Sequence, residues 1–219
     1  MSLQQKTSYQ QLRAAGATLH SKAMQATRPL GFHPVQIAKR MTLPVLGGSL
    51  VFDGEGATHA FVDFWSYEYR VNGKNLLEQI DPVAAGLDVV ETEFIEAARR
   101  ARTSFFQIEA VAPDQPELRL RDLLAPDQPD VWVTDLGLSD SFRAGGWLAL
   151  FCRLLTVRDI TMTSGFSFGF ATKFSPGILQ AYRQKTKRVP PAQLAEARFV
   201  FFYRKHRQCG IEQTYQKVV

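Results

Sequence analysis

Cysteine is scarce in this chain, with two among 219 residues, Cys152 and Cys209, far apart. They build no disulfide framework, which points to a reducing, cytoplasmic setting. Long apolar runs are missing as well. The longest, residues 147–152, is six positions long, whereas a helix crossing a bilayer needs about 20. The opening Met1-Ser2-Leu3-Gln4-Gln5-Lys6 lacks the apolar block of a secretory signal. The four histidines, His20, His33, His59 and His206, are scattered. None stands at zinc-ligand spacing from another His or a Cys, so no metal or cofactor is expected. Nucleotide motifs, internal repeats and low-complexity tracts are absent too.

Acid is missing from both ends. Residues 1–50 carry a net +6 with no Asp or Glu, residues 51–179 carry −8, and residues 180–219 carry +7. Two basic ends around an acidic centre either fold back onto that centre or face an external polyanion. What is present is otherwise ordinary for a globular protein: 45% hydrophobic, 21% charged, with 16 Phe and three Trp for a core. The length suits one compact domain, or one with a helical appendage.

The first part reads as helical. Leu12, Ala15, Leu19, Ala23 and Ala26 recur at helical spacing within residues 3–27. Arg28-Pro29 and Gly31 break that helix, and Pro34 opens a short one through Met41. Gly47-Gly48 marks a loop or edge strand over 43–51. Residues 57–70 favour a helix with Phe61, Phe64, Trp65 and Glu68 on one face, and His59, Asp63 and Ser66 towards the other. Asn72-Gly73 is a turn or a helix cap, 76–80 a short helix, and 88–102 a helix with acids early and arginines late, which suits its dipole.

From residue 103 the period changes. Residues 103–111 read as a strand closed by Pro113-Asp114-Gln115-Pro116. Leu118 and Leu120 alternate with Arg119 and Arg121, and Val131 and Val133 with Trp132 and Thr134. Gly145-Gly146 turns the chain into residues 147–155, apolar at nearly every position and therefore buried on both sides. Ile160 and Met162 alternate with threonines, and Phe166, Phe168 and Phe170 with Ser167 and Gly169. Pro176-Gly177 ends the β section. Residues 178–187 and 194–208 read as helices, with 199–203 also passable as a strand. The division is 1–102 mainly helical, 103–174 antiparallel β, and 175–219 a basic helical segment. The expected fold class is α+β, with N-terminal helices packed on a small curved antiparallel sheet or partial barrel, followed by basic C-terminal helices.

One order of features resembles a known family. Phe61-x-Asp63-x-Trp65, Asn72-Gly73-Lys74-x-Leu76-Leu77-Glu78, an Arg-rich helix into Phe105-Phe106, and then 118–124, 131–135 and 145–153 are similar to a region accompanying SEC-C zinc motifs in bacterial proteins. The resemblance spans about half the chain. It implies a bacterial or phage-like origin and no chemistry, and the clustered zinc ligands of that group are lacking here.

Three groups of residues invite a functional reading. Gly165-Phe166-Ser167-Phe168-Gly169 is a literal G-x-S-x-G, the pattern of a strand-to-helix elbow that exposes a nucleophile. Its partners would be His206 as base and Glu196 or Glu212 as acid. The simpler reading is a strand with three aromatics on one face. Asp53-Gly54-Glu55-Gly56 with Asp63 or Glu68 is a thin cation site, more simply a polar loop. Arg119, Arg121 and Asp122 read as a solvated or ion-paired strand face, Cys152 as core, and Cys209 as a surface or half-buried thiol beside Arg207.

The basic cluster Arg183, Lys185, Lys187, Arg188, Arg204, Lys205 and Arg207 is the strongest binding candidate, with Tyr182 and Tyr203 near enough in sequence to stack on bases. The expected function is a non-enzymatic cytoplasmic interaction module without a membrane role. It would bind a protein partner, itself or nucleic acid through that surface. The alternatives are a serine hydrolase using Ser167 and a structural subunit of a larger assembly.

Overall fold

The computed structural model describes residues 3–27, 33–143 and 148–211. It is α+β, as expected, and the chain divides into two compact units, Ser2–Ala101 and Arg102–Val219. No helix among the described residues is long and apolar enough to cross a membrane.

The first unit is helical. Helix α1 (Leu3–Thr27) buries Leu12, Ala15, Leu19 and Ala23 of the stripe expected from the spacing, and Tyr9 with them; the side chain of Ala26 lies outside the description. The break at Arg28-Pro29 and Gly31 lies outside the described residues. Helix α2 (Pro34–Met41) starts at its proline, and Val45–Leu46 (β1) and Ser49–Leu50 (β2) form a minimal hairpin over Gly47-Gly48. Helix α5 (Val89–Arg99) meets α1 where a Cβ on Gly16 would lie 2.7 Å from the Phe94 ring, so glycine there lets the two helices approach. The predicted 88–102 helix stops earlier. Asp88 is its N-cap in a reciprocal capping box with Glu91 (2.8 and 2.9 Å), and Arg102 already belongs to a strand. Buried Glu91 also takes Lys22 Nζ at 2.6 Å.

Residues 57–70 are helical, with an unforeseen feature. Helix α3 (Glu55–Asp63) runs into a π-helical turn, Phe64–Glu68, closed by Tyr69 N–H donating to the Phe64 carbonyl at 2.9 Å. Asp63 and Ser66, expected on the outer side, are buried with Tyr67 and Glu68. Asn75 Nδ2 donates to the Tyr67 carbonyl at 2.9 Å while Asn75 caps the short α4 (Leu76–Gln79) through its own box with Glu78.

The second unit is a closed five-stranded barrel. Its strands are β3 (Arg102–Val111), β4 (Glu117–Asp122), β5 (Val131–Thr134), β6 (Leu148–Val157) and β7 (Ile160–Ala171), in the order β3-β4-β5-β7-β6 around the wall. Four pairings are antiparallel. The fifth, β5 with β7, is parallel through one pair, Thr134–Met162. That order, with helix α6 (Leu136–Arg143) between the third and fourth strands, is the topology of OB-type Greek-key barrels, and a topology by itself assigns no activity. The sequence reading passed over α6 because Gly137, Ser139 and Ser141 are poor helix formers. Its start signal was Asp135, whose Oδ1 accepts the Leu138 amide and whose Oδ2 accepts Thr163 Oγ1 at 2.7 Å.

Alternation sorts the side chains. Phe106, Ile108, Leu118, Leu120, Val133, Leu150, Cys152 and Leu154 fill the interior, and Leu138 and Phe142 of α6 join them. The opposite face of β6, β7 and the first half of β3 carries Phe105, Phe151, Phe166, Phe168 and Phe170. These pack against helix α8 (Pro191–Cys209), where Phe151 stacks on Phe202 with centroids 4.3 Å apart and Phe105 lies 4.9 Å from Phe202. Helix α7 (Ser175–Thr186) adds Tyr182, and Pro176 opens this helix rather than merely ending the strand. Arg198 of α8 donates to the Thr103 carbonyl at 2.6 Å and to Tyr182 Oη at 3.2 Å, joining helix, helix and strand. Residues 199–203 are helical, and Gly145-Gly146 lies outside the described residues.

Two measurements check this account. Phe202→Ala removes the ring at the centre of the aromatic layer and is expected to destabilise the chain by about 3–5 kcal/mol in urea denaturation. At Glu78, burial pushes the carboxyl pKa up. The hydrogen bonds from Arg70 and the Asn75 amide, with the charges of Arg70 and Arg99, outweigh that, and its pKa lies below the ordinary 4.5. A carboxyl lowered by folding stabilises above its unfolded pKa and loses that contribution as pH falls through the folded value. Stability is therefore expected to drop as pH falls below 4.5, and less steeply in Arg70→Ala. The pair is partly exposed, so the difference is small.

Candidate nucleic-acid interface

The seven cations singled out in the sequence divide between two helix ends. Arg183 and Lys185 lie on the last turns of α7, with Lys187 and Arg188 in the turn that leads to α8. Arg204, Lys205 and Arg207 lie on the last turns of α8. At 1.5 Å per residue, Arg204 is about 20 Å along α8 from its start beside Arg188. All are exposed except Lys205, which is half-buried and donates to Gln208 Oε1 at 3.2 Å.

Their charge state in the fold differs from that of the barrel arginines. Arg102 pairs with Asp122 at 2.9 Å, Arg119 with Asp130 at 3.6 Å, Arg121 with Glu109 at 2.6 Å and Arg143 with Asp140 at 2.8 Å. By contrast, Arg183, Lys185, Lys187, Arg188 and Arg204 have no carboxylate among the described residues within ion-pair reach. Asp122 is a further correction. It faces inward, 2% exposed, with Oδ1 accepting Ser104 Oγ at 2.6 Å and the Leu124 and Ala125 amides.

The aromatics expected beside the cations are elsewhere. Tyr182 packs on Phe201 and Phe202, and Tyr203 on Phe168, both buried and closed to a base. The exposed aromatic of this unit's sheet is Trp132, 47% exposed in the middle of β5 and directly across from Arg119. The alternation of Val131, Trp132 and Val133 placed it outward in the sequence; what the sequence did not show is how much of it stays exposed.

The chain belongs to DUF7986, a family of unknown function, which it matches over residues 3–216. No curated protein and no solved structure matches it. The match carries no association with SEC-C zinc motifs.

For this DUF7986 chain the hydrolase elbow is corrected by strand pairing. Ser167 lies within β7, paired with Cys152 of β6, and its face is the barrel interior that holds Cys152. His206 lies outside, stacked on Phe168 at 4.9 Å and edge-on to Phe170 at 5.8 Å. One strand backbone separates the two residues. Glu196 precedes His206 by ten positions, about 15 Å along α8, and Glu212 lies outside the described residues. Gly165 has a structural task instead. Its φ of +111° accompanies the irregularity where β6–β7 pairing steps from Cys152–Ser167 to Leu154–Thr163.

The other candidates do not converge. Asp53 and Glu55 are exposed whereas Asp63 and Glu68 are buried, and no group of three His, Cys, Asp or Glu among the described residues could hold a metal. His33 and His59 are exposed, while His20 bonds the Gly16 carbonyl on α1 at 2.7 Å. Cys152 is buried and Cys209 half-buried, both free thiols. A fluorophosphonate probe is expected to leave the native protein unlabelled. Labelling that disappears in Ser167→Ala would overturn this assignment.

Proposed function

We propose that this protein is a non-enzymatic interaction module that binds a polyanion, nucleic acid foremost, through the α7–α8 helix hairpin. The observation that carries the reading is the set of exposed cations without carboxylate partners, Arg183, Lys185, Lys187, Arg188 and Arg204. Cations at helix C-termini are favoured by the helix dipole alone. That effect does not account for their remaining unneutralised while the barrel arginines of the same unit are ion-paired. The hairpin is also a firm support, since its inner side is locked to the barrel by Phe199, Phe202 and Tyr203. A chain with two cysteines that form no disulfide is in keeping with a cytoplasmic setting.

Phosphate neutralisation releases counterions, so affinity falls with salt by about 0.7 log units per log unit of salt for each contact to a single strand. Binding to an oligonucleotide is expected at low salt and to weaken steeply as salt rises. The triple variant Arg183→Gln, Lys187→Gln, Arg188→Gln should bind more weakly and lower the salt slope by about 2, read by fluorescence anisotropy. Absence of binding at low salt, or a slope unchanged in the variant, would sink the reading.

A further inference from the structure

We propose that the outer face of β3–β5 around Trp132 is a stacking platform for an unpaired base, so that the nucleic acid engaged by this module is single-stranded. The inference rests on the polyanion reading above and names the form of its ligand.

The platform is built by register. Trp132 stands opposite Arg119, Arg119 opposite Ala110, and Arg121 opposite Gln107, so Arg119 and Arg121 on the neighbouring β4 and Gln107 on β3 share the outer face with the indole. Trp132 is 47% exposed at mid-strand, whereas the outward aromatics of β6 and β7 are covered by α8. Arg121 is held by Glu109 at 2.6 Å, and Arg119 sits loosely against Asp130 at 3.6 Å, beyond hydrogen-bond length. Arg119 Nε is left without a hydrogen-bond partner.

Two arginines facing two carboxylates make this face nearly neutral, so it does not gather phosphates. It offers a π surface bordered by planar donors, which suits the face and edges of a base. In a duplex those faces are occupied by neighbouring bases, and only an unpaired strand can use the indole.

The charge that holds the backbone lies within reach. One row of paired residues, Arg121–Gln107–Ala149–Phe170, crosses four strands, and His206 of α8 lies 5.8 Å from Phe170. Arg204 and Arg207 flank His206 on the last turns of that helix. Three strand spacings, about 14 Å along the wall, separate Arg121 from Phe170 at the cationic helix end, and Trp132 lies one strand further, on β5.

The test compares a fluorescent single-stranded DNA homopolymer with its duplex of equal length at low salt. The proteins are the native chain, Trp132→Ala, Trp132→Phe and the hairpin triple variant. The native chain should prefer the single strand. Trp132→Ala should weaken single-strand binding about 5- to 150-fold while leaving duplex affinity and the salt slope unchanged, and Trp132→Phe should retain most of it. Single-strand affinity unchanged in Trp132→Ala but reduced in the hairpin variant would overturn the platform and leave the polyanion reading standing. Binding of neither form would overturn both. A change of oligomeric state in Trp132→Ala, with single-strand affinity intact, would make Trp132 a contact between protein chains and overturn the platform.

Discussion

The layer of aromatic rings between the barrel wall and α8 is the interaction on which the second unit depends. A closed barrel has an interior to fill and an exterior to cover, and β6 is apolar on both sides because both demands fall on it, whereas β7 gives its aromatics to the outer face alone. Inside, Leu150, Cys152 and Leu154 meet residues of β3, β4, β5 and α6. Outside, Phe151 is stacked between Phe168 at 6.0 Å and Phe202 at 4.3 Å, with Phe166 and Phe199 edge-on around them. Offset and edge-on ring pairs add about 0.5–1.5 kcal/mol each to the area they bury. The layer also presses the inner side of α8 to the wall, leaving Arg204 and Arg207 exposed.

Charge is arranged in two styles within this one unit. On the barrel, each outward arginine of β4 is matched by a nearby carboxylate, Arg119 by Asp130 and Arg121 by Glu109. Pairs so exposed contribute little to stability, about 0–1 kcal/mol, but they fix the orientation of the guanidiniums and lower the net field. On the helix hairpin the field is left uncompensated. The two surfaces differ in net field although they belong to one unit.

Much of this architecture was legible in residue order. The period of 3.6 in Leu12, Ala15, Leu19 and Ala23, and the period of 2 in Leu118 and Leu120, reflect one buried face each, and such patterns survive any tertiary arrangement. The π-turn at Phe64–Glu68 was not legible, because it changes the face by one inserted backbone position without a compositional signal. Ser167 misled for a related reason. A glycine-flanked serine serves an elbow or a bulge equally well, and only pairing with Cys152 decides between them. Whether Arg183, Lys185, Lys187, Arg188 and Arg204 meet a carboxylate depends on which side chains the fold brings near, and sequence distance does not report that. Tyr182 and Tyr203 were misjudged because the helix buries the face they occupy, while Trp132 stands on a strand and stays exposed.

The parallel seam of the barrel has a kinetic consequence. Val157 and Ile160 are joined by a turn of two residues, Arg158 and Asp159, so β6 and β7 find each other at small entropic cost. The β5–β7 seam unites positions 28 residues apart, and beyond the pair Thr134–Met162 it leans on the bond from Thr163 to Asp135. Loop closure over that span comes after the local hairpin. The wall therefore zips late at this seam, and the residue that starts α6 also serves as its clasp.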